Sequence, residues 1–113
     1  MKSLSGGMNI KKKNKPVIYV DIDDTICTQD GHNYKEAKPL YERIAKINDL
    51  YNRGWYVVYW TARGTKTGKD WTKLTEMQLN KWLVKYHELR FGKPVYDLFV
   101  DDKNINSERF FDE

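Results

Sequence analysis

The chain has 113 residues, 40% of them hydrophobic and 32% charged, with a net charge of +4 and one cysteine. Such a chain is one compact domain that can bury a core without disulfides, which excludes both disorder and a sizeable second domain. No run approaches the roughly 18–20 apolar residues of a membrane span, and the start lacks the apolar stretch of a signal peptide. Because Cys27 has no partner for a disulfide, a cytoplasmic setting is expected.

Residues 1–15 read as a flexible basic leader. The first seven are a lead-in, Met8 is a natural start, and Lys11, Lys12, Lys13 and Lys15 follow. The leader reads as solvated, with attraction to polyanions as the alternative. A single domain over 16–113 follows. Residues 16–22 (PVIYVDI) are β-branched and aromatic behind a proline, as in a strand buried on both faces. Pro39 then opens a helix in which Leu40, Ile44, Ile47, Leu50 and Tyr51 recur at helical spacing, and Gly54 supplies the stop. A second strand, 55–60 (WYVVYW), comes next. A polar loop over 61–70 leads to a second helix, about 71–86, with Leu79, Trp82, Leu83 and Tyr86 on one face. Residues 89–91 read as a short third strand, and 97–100 (DLFV) as a further buried strand that ends in Asp101 and Asp102.

Alternating strands and helices predict an α/β fold, a Rossmann-like parallel sheet built from right-handed crossovers and flanked by helices. Ligands of such sheets bind beyond the carboxyl ends of the strands. Asp21, Asp23 and Asp24, then Thr61, then Asp101 and Asp102 fall at those ends. Five acids on one edge would repel one another without a cation, and hard oxygen donors favour Mg²⁺. With a Thr61 hydroxyl and a Lys93 ammonium to hold phosphate oxygens, the set describes phosphoryl transfer.

The string Asp21-Ile22-Asp23-Asp24-Thr25 after an apolar strand resembles the DxDxT motif of the haloacid dehalogenase (HAD) superfamily of phosphatases. Thr61, Lys93 and the Asp101-Asp102 pair are similar to its second, third and fourth motifs, in order. The strings TARG (61–64), FGKP (91–94) and VDDK (100–103) resemble those of small bacterial members associated with capsule and surface-polysaccharide synthesis. The resemblance implies that Asp21 is the nucleophile and a metal ligand. Asp23 would be the general acid and base, its carbonyl touching the metal. Thr25 would stabilise the loop, and Thr61 and Lys93 would bind the phosphoryl group. Asp102 would ligate Mg²⁺ directly and Asp101 through water, or in the reverse order; Asp24 would support the turn or sit outside the direct contacts. The gaps between motifs leave no room for a cap domain, so the implied site is open.

The expected function is a Mg²⁺-dependent phosphomonoesterase working through an aspartyl-phosphate, on a sugar phosphate of polysaccharide biosynthesis. The alternatives are a phosphatase of nucleic-acid 3′ ends, which the basic leader favours weakly, and a silent HAD-like binding module. A receiver domain also uses Asp, Thr, Lys and Mg²⁺, but places its acceptor after a later strand. The partner is a phosphorylated small molecule; nucleic acid is not favoured, no membrane is expected, and a homo-oligomer is compatible. The loop over 62–71 offers Arg63 and Trp71 as substrate contacts, with Lys66 and Lys69 as further cations. Cys27 reads as a small buried residue, His32 and His87 as packing or surface residues, and Trp82 as core.

Overall fold

The computed structural model describes residues 14–112; most of the expected basic leader, 1–13, lies outside them. The expected strand–helix alternation is present. Strand β1 is Val17–Val20, helix α1 Tyr41–Asn52, β2 Tyr56–Trp60, α2 Thr72–Lys81, β3 Glu88–Arg90 and α3 Ser107–Phe111. A single 3-10 turn, Tyr34–Glu36, interrupts the loop between β1 and α1.

The three strands are parallel in the order β1-β2-β3, with Ile18 opposite Val57, Tyr19 opposite Val58, and Tyr59 opposite Leu89. Successive right-handed crossovers running in one direction place α1 and α2 on the same face. The core agrees: Val20, Val57 and Tyr59 share one buried cluster with Ile44 and Ile47 of α1 and Leu79 of α2, closed by Trp82 and Val84. His87 stacks between the rings of Tyr51 and Tyr56, and its Nδ1 accepts the Val57 N–H at 3.0 Å.

Four expectations need correction. β1 is not buried on both faces. It forms one edge of the described sheet, and its outward residues Val17 and Tyr19 are exposed, Tyr19 meeting Trp60 edge-on and Arg90 through its hydroxyl. Helix α1 starts at Tyr41, since Pro39 is held in a bridge with Cys27. Helix α2 stops at Lys81 rather than near 86. Most consequentially, residues 97–100 form no strand, and Leu98 and Val100 are 79% and 85% exposed. Their apolar pattern is that of a buried strand, yet no described strand pairs with them.

Both long helices end in the same device. In α1 the N–H of Trp55 reaches Leu50 O and that of Gly54 reaches Tyr51 O, with Gly54 at φ 102°. In α2 the N–H of Val84 reaches Leu79 O and that of Leu83 reaches Asn80 O, with Leu83 at φ 60°. These are two Schellman motifs, one built on glycine and one on leucine.

Candidate functional site

Just past β1 the chain turns sharply over residues 22–27. Ile22 O accepts the N–H groups of both Thr25 and Ile26, and Asp24 N–H reaches Cys27 O at 2.8 Å. Asp24 sits at the crest with φ 61°, a left-handed conformation that Asp tolerates better than most side chains. It is exposed and acts in the turn. The fold of this loop sends Asp21 and Asp23 to different partners.

Asp21 lies at the carboxyl end of β1 with its side chain 35% exposed. Its Oδ2 accepts from the Thr25 hydroxyl at 3.4 Å, and its Oδ1 lies 3.5 Å from Lys93 Nζ. Lys93 is brought there by backbone pairing that continues past the strand ends: Thr61 N–H donates to Arg90 O, and Lys93 N–H donates to Thr61 O. The ends of β1, β2 and β3 thus meet at one place. Burial raises the Asp21 carboxyl above its ordinary value, Lys93 pulls it back, and neighbouring Asp23 pushes it further up.

Asp23 is held by Arg63. Arg63 Nη2 donates to Asp23 Oδ1 at 2.9 Å and Nε to Oδ2 at 3.0 Å, a two-pronged pair. The remaining guanidinium nitrogen, Nη1, donates to Gln78 Oε1 at 2.7 Å and Thr75 Oγ1 at 3.0 Å. Tyr34 covers the guanidinium at 4.7 Å, and the Arg63 side chain is fully buried. Arg63 is therefore no substrate contact, which corrects that expectation. A buried guanidinium needs every donor satisfied, and this one is spent on the protein. What the sequence concealed is the pairing itself, since Asp23 and Arg63 lie on separate segments.

Thr61 is buried, and its hydroxyl accepts the Arg63 backbone N–H at 3.1 Å. Cys27 is buried beside Asp23, and burial, then the Asp23 charge, pushes its thiol up to about 12. Burial and the adjacent carboxylate both disfavour the thiolate there. Asp101 and Asp102 do not join the site: both are exposed, and Asp102 pairs with its neighbour Lys103 at 2.9 Å. The expected metal set is therefore not assembled. Among the described residues no three His, Cys, Asp or Glu side chains come together to hold a metal ion. The charge argument for a cation changes as well, because two acids and two bases balance here: Lys93 faces Asp21 and Arg63 faces Asp23.

Beside Lys93 lies a cavity of about 240 Å³ whose lining includes Gly64, Lys69, Asp70, Trp71, Phe91 and Gly92. Gly64 is indispensable to its wall. A Cβ there would lie 2.1 Å from Lys69 O, and φ is 83°.

The fold is similar to the crystal structure of a target protein from Vibrio cholerae, with a TM-score of 0.78 and 22% identity over 87% of this chain and 89% of that chain. That likeness shows a shared α/β fold and nothing finer; the three-stranded parallel sheet with its crossover helices is of the Rossmann-like kind. No protein-family model and no curated protein matches the chain. Among the described residues no helix is long and apolar enough to cross a membrane.

Proposed function

We infer that the chain is a phosphomonoesterase of the haloacid dehalogenase type, with Asp21 as the nucleophile. The observation that carries this reading is the meeting of Asp21 with Lys93 at 3.5 Å across the carboxyl ends of the sheet, with the Thr25 hydroxyl on the second Asp21 oxygen. Motif order in the sequence supports it, since the first three motif residues fall at three successive strand ends.

In this reading Lys93 sets an ammonium where phosphoryl oxygens would sit and neutralises charge that would otherwise repel a carboxylate. Thr25 fixes the Asp21 rotamer by occupying Oδ2, so that the Oδ1 side faces the phosphorus. An Asp21 oxygen forms a bond to phosphorus as the ester P–O bond breaks, and the departing alkoxide takes its proton from solvent water. Water then cleaves the aspartyl-phosphate and releases inorganic phosphate. With both its oxygens on Arg63, Asp23 holds the loop in place; its expected acid role requires one oxygen to leave the guanidinium. Among the described residues the carboxylates do not gather around a metal, and the charge at phosphorus is met by Lys93.

The test is hydrolysis of p-nitrophenyl phosphate, with Mg²⁺ supplied, by the wild type, Asp21→Asn and Lys93→Ala. Asp21→Asn is expected to lose at least about 1,000-fold in kcat, a loss of the size seen when an essential catalytic group is removed. A wild type that hydrolyses no phosphate ester, or an Asp21→Asn variant within a few-fold of wild type, refutes the reading.

A further inference from the structure

The described sheet has two edges, and only one of them is guarded. β3 carries Glu88 and Arg90 among its three residues, in an ion pair at 2.6 Å. Charged side chains of this kind keep an edge from pairing with another strand. β1, the other edge, reads VIYV and carries none. Tyr56 N–H reaches Pro16 O at 2.8 Å, so by the alternation of a parallel pair Ile18 and Val20 turn their backbone polar groups toward β2. Those of Val17 and Tyr19 point out of the sheet, and among the described residues no strand meets them.

The same chain carries a strand-like segment with no partner. In residues 95–100 (VYDLFV) every apolar side chain is exposed: Val95, Tyr96, Leu98, Phe99 and Val100. A continuous apolar surface of this kind marks an interaction site. Residues 97–100 match β1 in length. Set side by side from their first residues, Leu98 and Val100 fall beside Ile18 and Val20, on the face that packs into the core. Phe99 then falls beside Tyr19 on the opposite face.

The segment cannot reach β1 of its own chain in that register. Lys93 is fixed on the line of β3 at the carboxyl end of the sheet, its N–H on Thr61 O. Only Pro94, Val95 and Tyr96 separate it from Asp97, a span of at most about 14 Å when fully extended. A strand parallel to β1 on its free side begins three strand spacings away, about 14 Å sideways, and a further 10 Å or so back toward the amino end. A second copy of the chain approaches from outside and is under no such restriction.

We propose that residues 95–100 of one copy pair in parallel with the free edge of β1 in a second copy, and that a two-fold exchange of these arms makes a dimer. The two-fold doubles every contact, and the parallel direction is that of both pairings already in the sheet. It sets Asp101 and Asp102 of the partner subunit at the carboxyl edge where Asp21 and Lys93 meet. The catalytic consequence of that placement rests on the phosphomonoesterase reading; the pairing itself does not.

Sedimentation of the full chain from about 1 to 500 µM tests the association, with a Kd on the order of tens of micromolar expected for an exchanged pair of short strands. Over the same range amide exchange at Val17 and Tyr19 should slow at least about tenfold, while Ile18 and Val20 stay protected throughout. Leu98→Asp and Val100→Asp should each abolish the dimer. Both positions are exposed in the single chain, so these changes act on association and not on its folding. A chain that stays monomeric at the highest concentration, or a dimer that survives both substitutions, overturns the proposal. So do Val17 and Tyr19 amides already protected in the monomer, because the edge is then covered within one chain. Register is read by mixing Tyr19→Cys with Phe99→Cys under mild oxidation, Cys27 being buried. A disulfide-linked dimer in excess of either variant alone is expected, and no excess overturns the pairing. A functional arm mixes Asp21→Asn with Asp102→Asn. Each mixed dimer keeps one site with both residues intact, so two inactive parents should recover about a quarter of wild-type turnover. No recovery, or an Asp102→Asn variant as active as wild type, overturns the placement of the partner's Asp102. A wild type without phosphatase activity refutes the catalytic reading, and the sedimentation, exchange and crosslinking results then decide the arm exchange alone.

Discussion

At Asp23 and Asp21 two neighbouring carboxylates make opposite contributions to the fold. Asp23 neutralises a guanidinium that has no solvent contact, so Asp23→Asn leaves a buried charge unpaired. That change is expected to destabilise the chain by about 3 kcal/mol, the scale for breaking a buried pair, measurable by urea unfolding. Asp21 behaves oppositely. Its folded carboxyl titrates above its unfolded value, so the stability it contributes is complete at low pH and is lost as pH rises through the folded value. Asp21→Asn cannot ionise. It is expected to be slightly more stable than wild type at pH 7, with the difference vanishing below about pH 4. A stable Asp23→Asn would show that the Arg63 pair is dispensable. The same shift has a kinetic face: the acid limb of kcat/KM should lie above the ordinary aspartate value of 3.8. It should move higher still in Lys93→Met, which removes the charge that lowers it. A limb that stays in place in that variant would show that another group titrates.

Helix ends explain why some boundaries could be read in the sequence and others could not. Gly54 announces the end of α1 because glycine pays no steric cost at positive φ. Leu83, 77% exposed, adopts nearly the same role at φ 60°, and leucine carries no such signal. The apolar spacing of Leu79, Trp82, Leu83 and Tyr86 therefore predicts a helix that the backbone abandons at Lys81. What holds the unusual end is a tertiary contact: Asn48 of α1 donates to Leu83 O and accepts the Lys85 N–H, both at 2.9 Å. Leu83→Gly is expected to stabilise the chain by about 0.5–1 kcal/mol, because it relieves the left-handed strain and exposes less apolar surface. The measurement is the urea midpoint at unchanged slope. A lower midpoint would mean that the extra freedom of glycine in the unfolded chain outweighs the strain.

Across the whole molecule, local pattern located three strands, two helices and the strand ends that carry Asp21, Thr61 and Lys93. It failed where the outcome depends on which segment finds a partner. Asp23 and Arg63 pair across separate segments, and nothing in either local string specifies that contact. The DLFV segment is the converse: its apolar character is legible, but character alone does not supply a neighbouring strand. The described sheet has three strands with β1 at one edge, and residues 95–100 run exposed with Asp101 and Asp102 beyond them. The two arrangements differ by an amount that one substitution can measure. Leu98 in a buried strand would lose about 2–5 kcal/mol on truncation to alanine. Leu98 at 79% exposure should lose no more than about 0.5 kcal/mol, with the same expectation for Val100→Ala. Ile22→Ala, at a fully buried position in the same chain, gives the scale of a true core truncation. If Leu98→Ala approaches that scale, the segment is packed in solution, and the acids that follow it must be placed anew relative to Asp21.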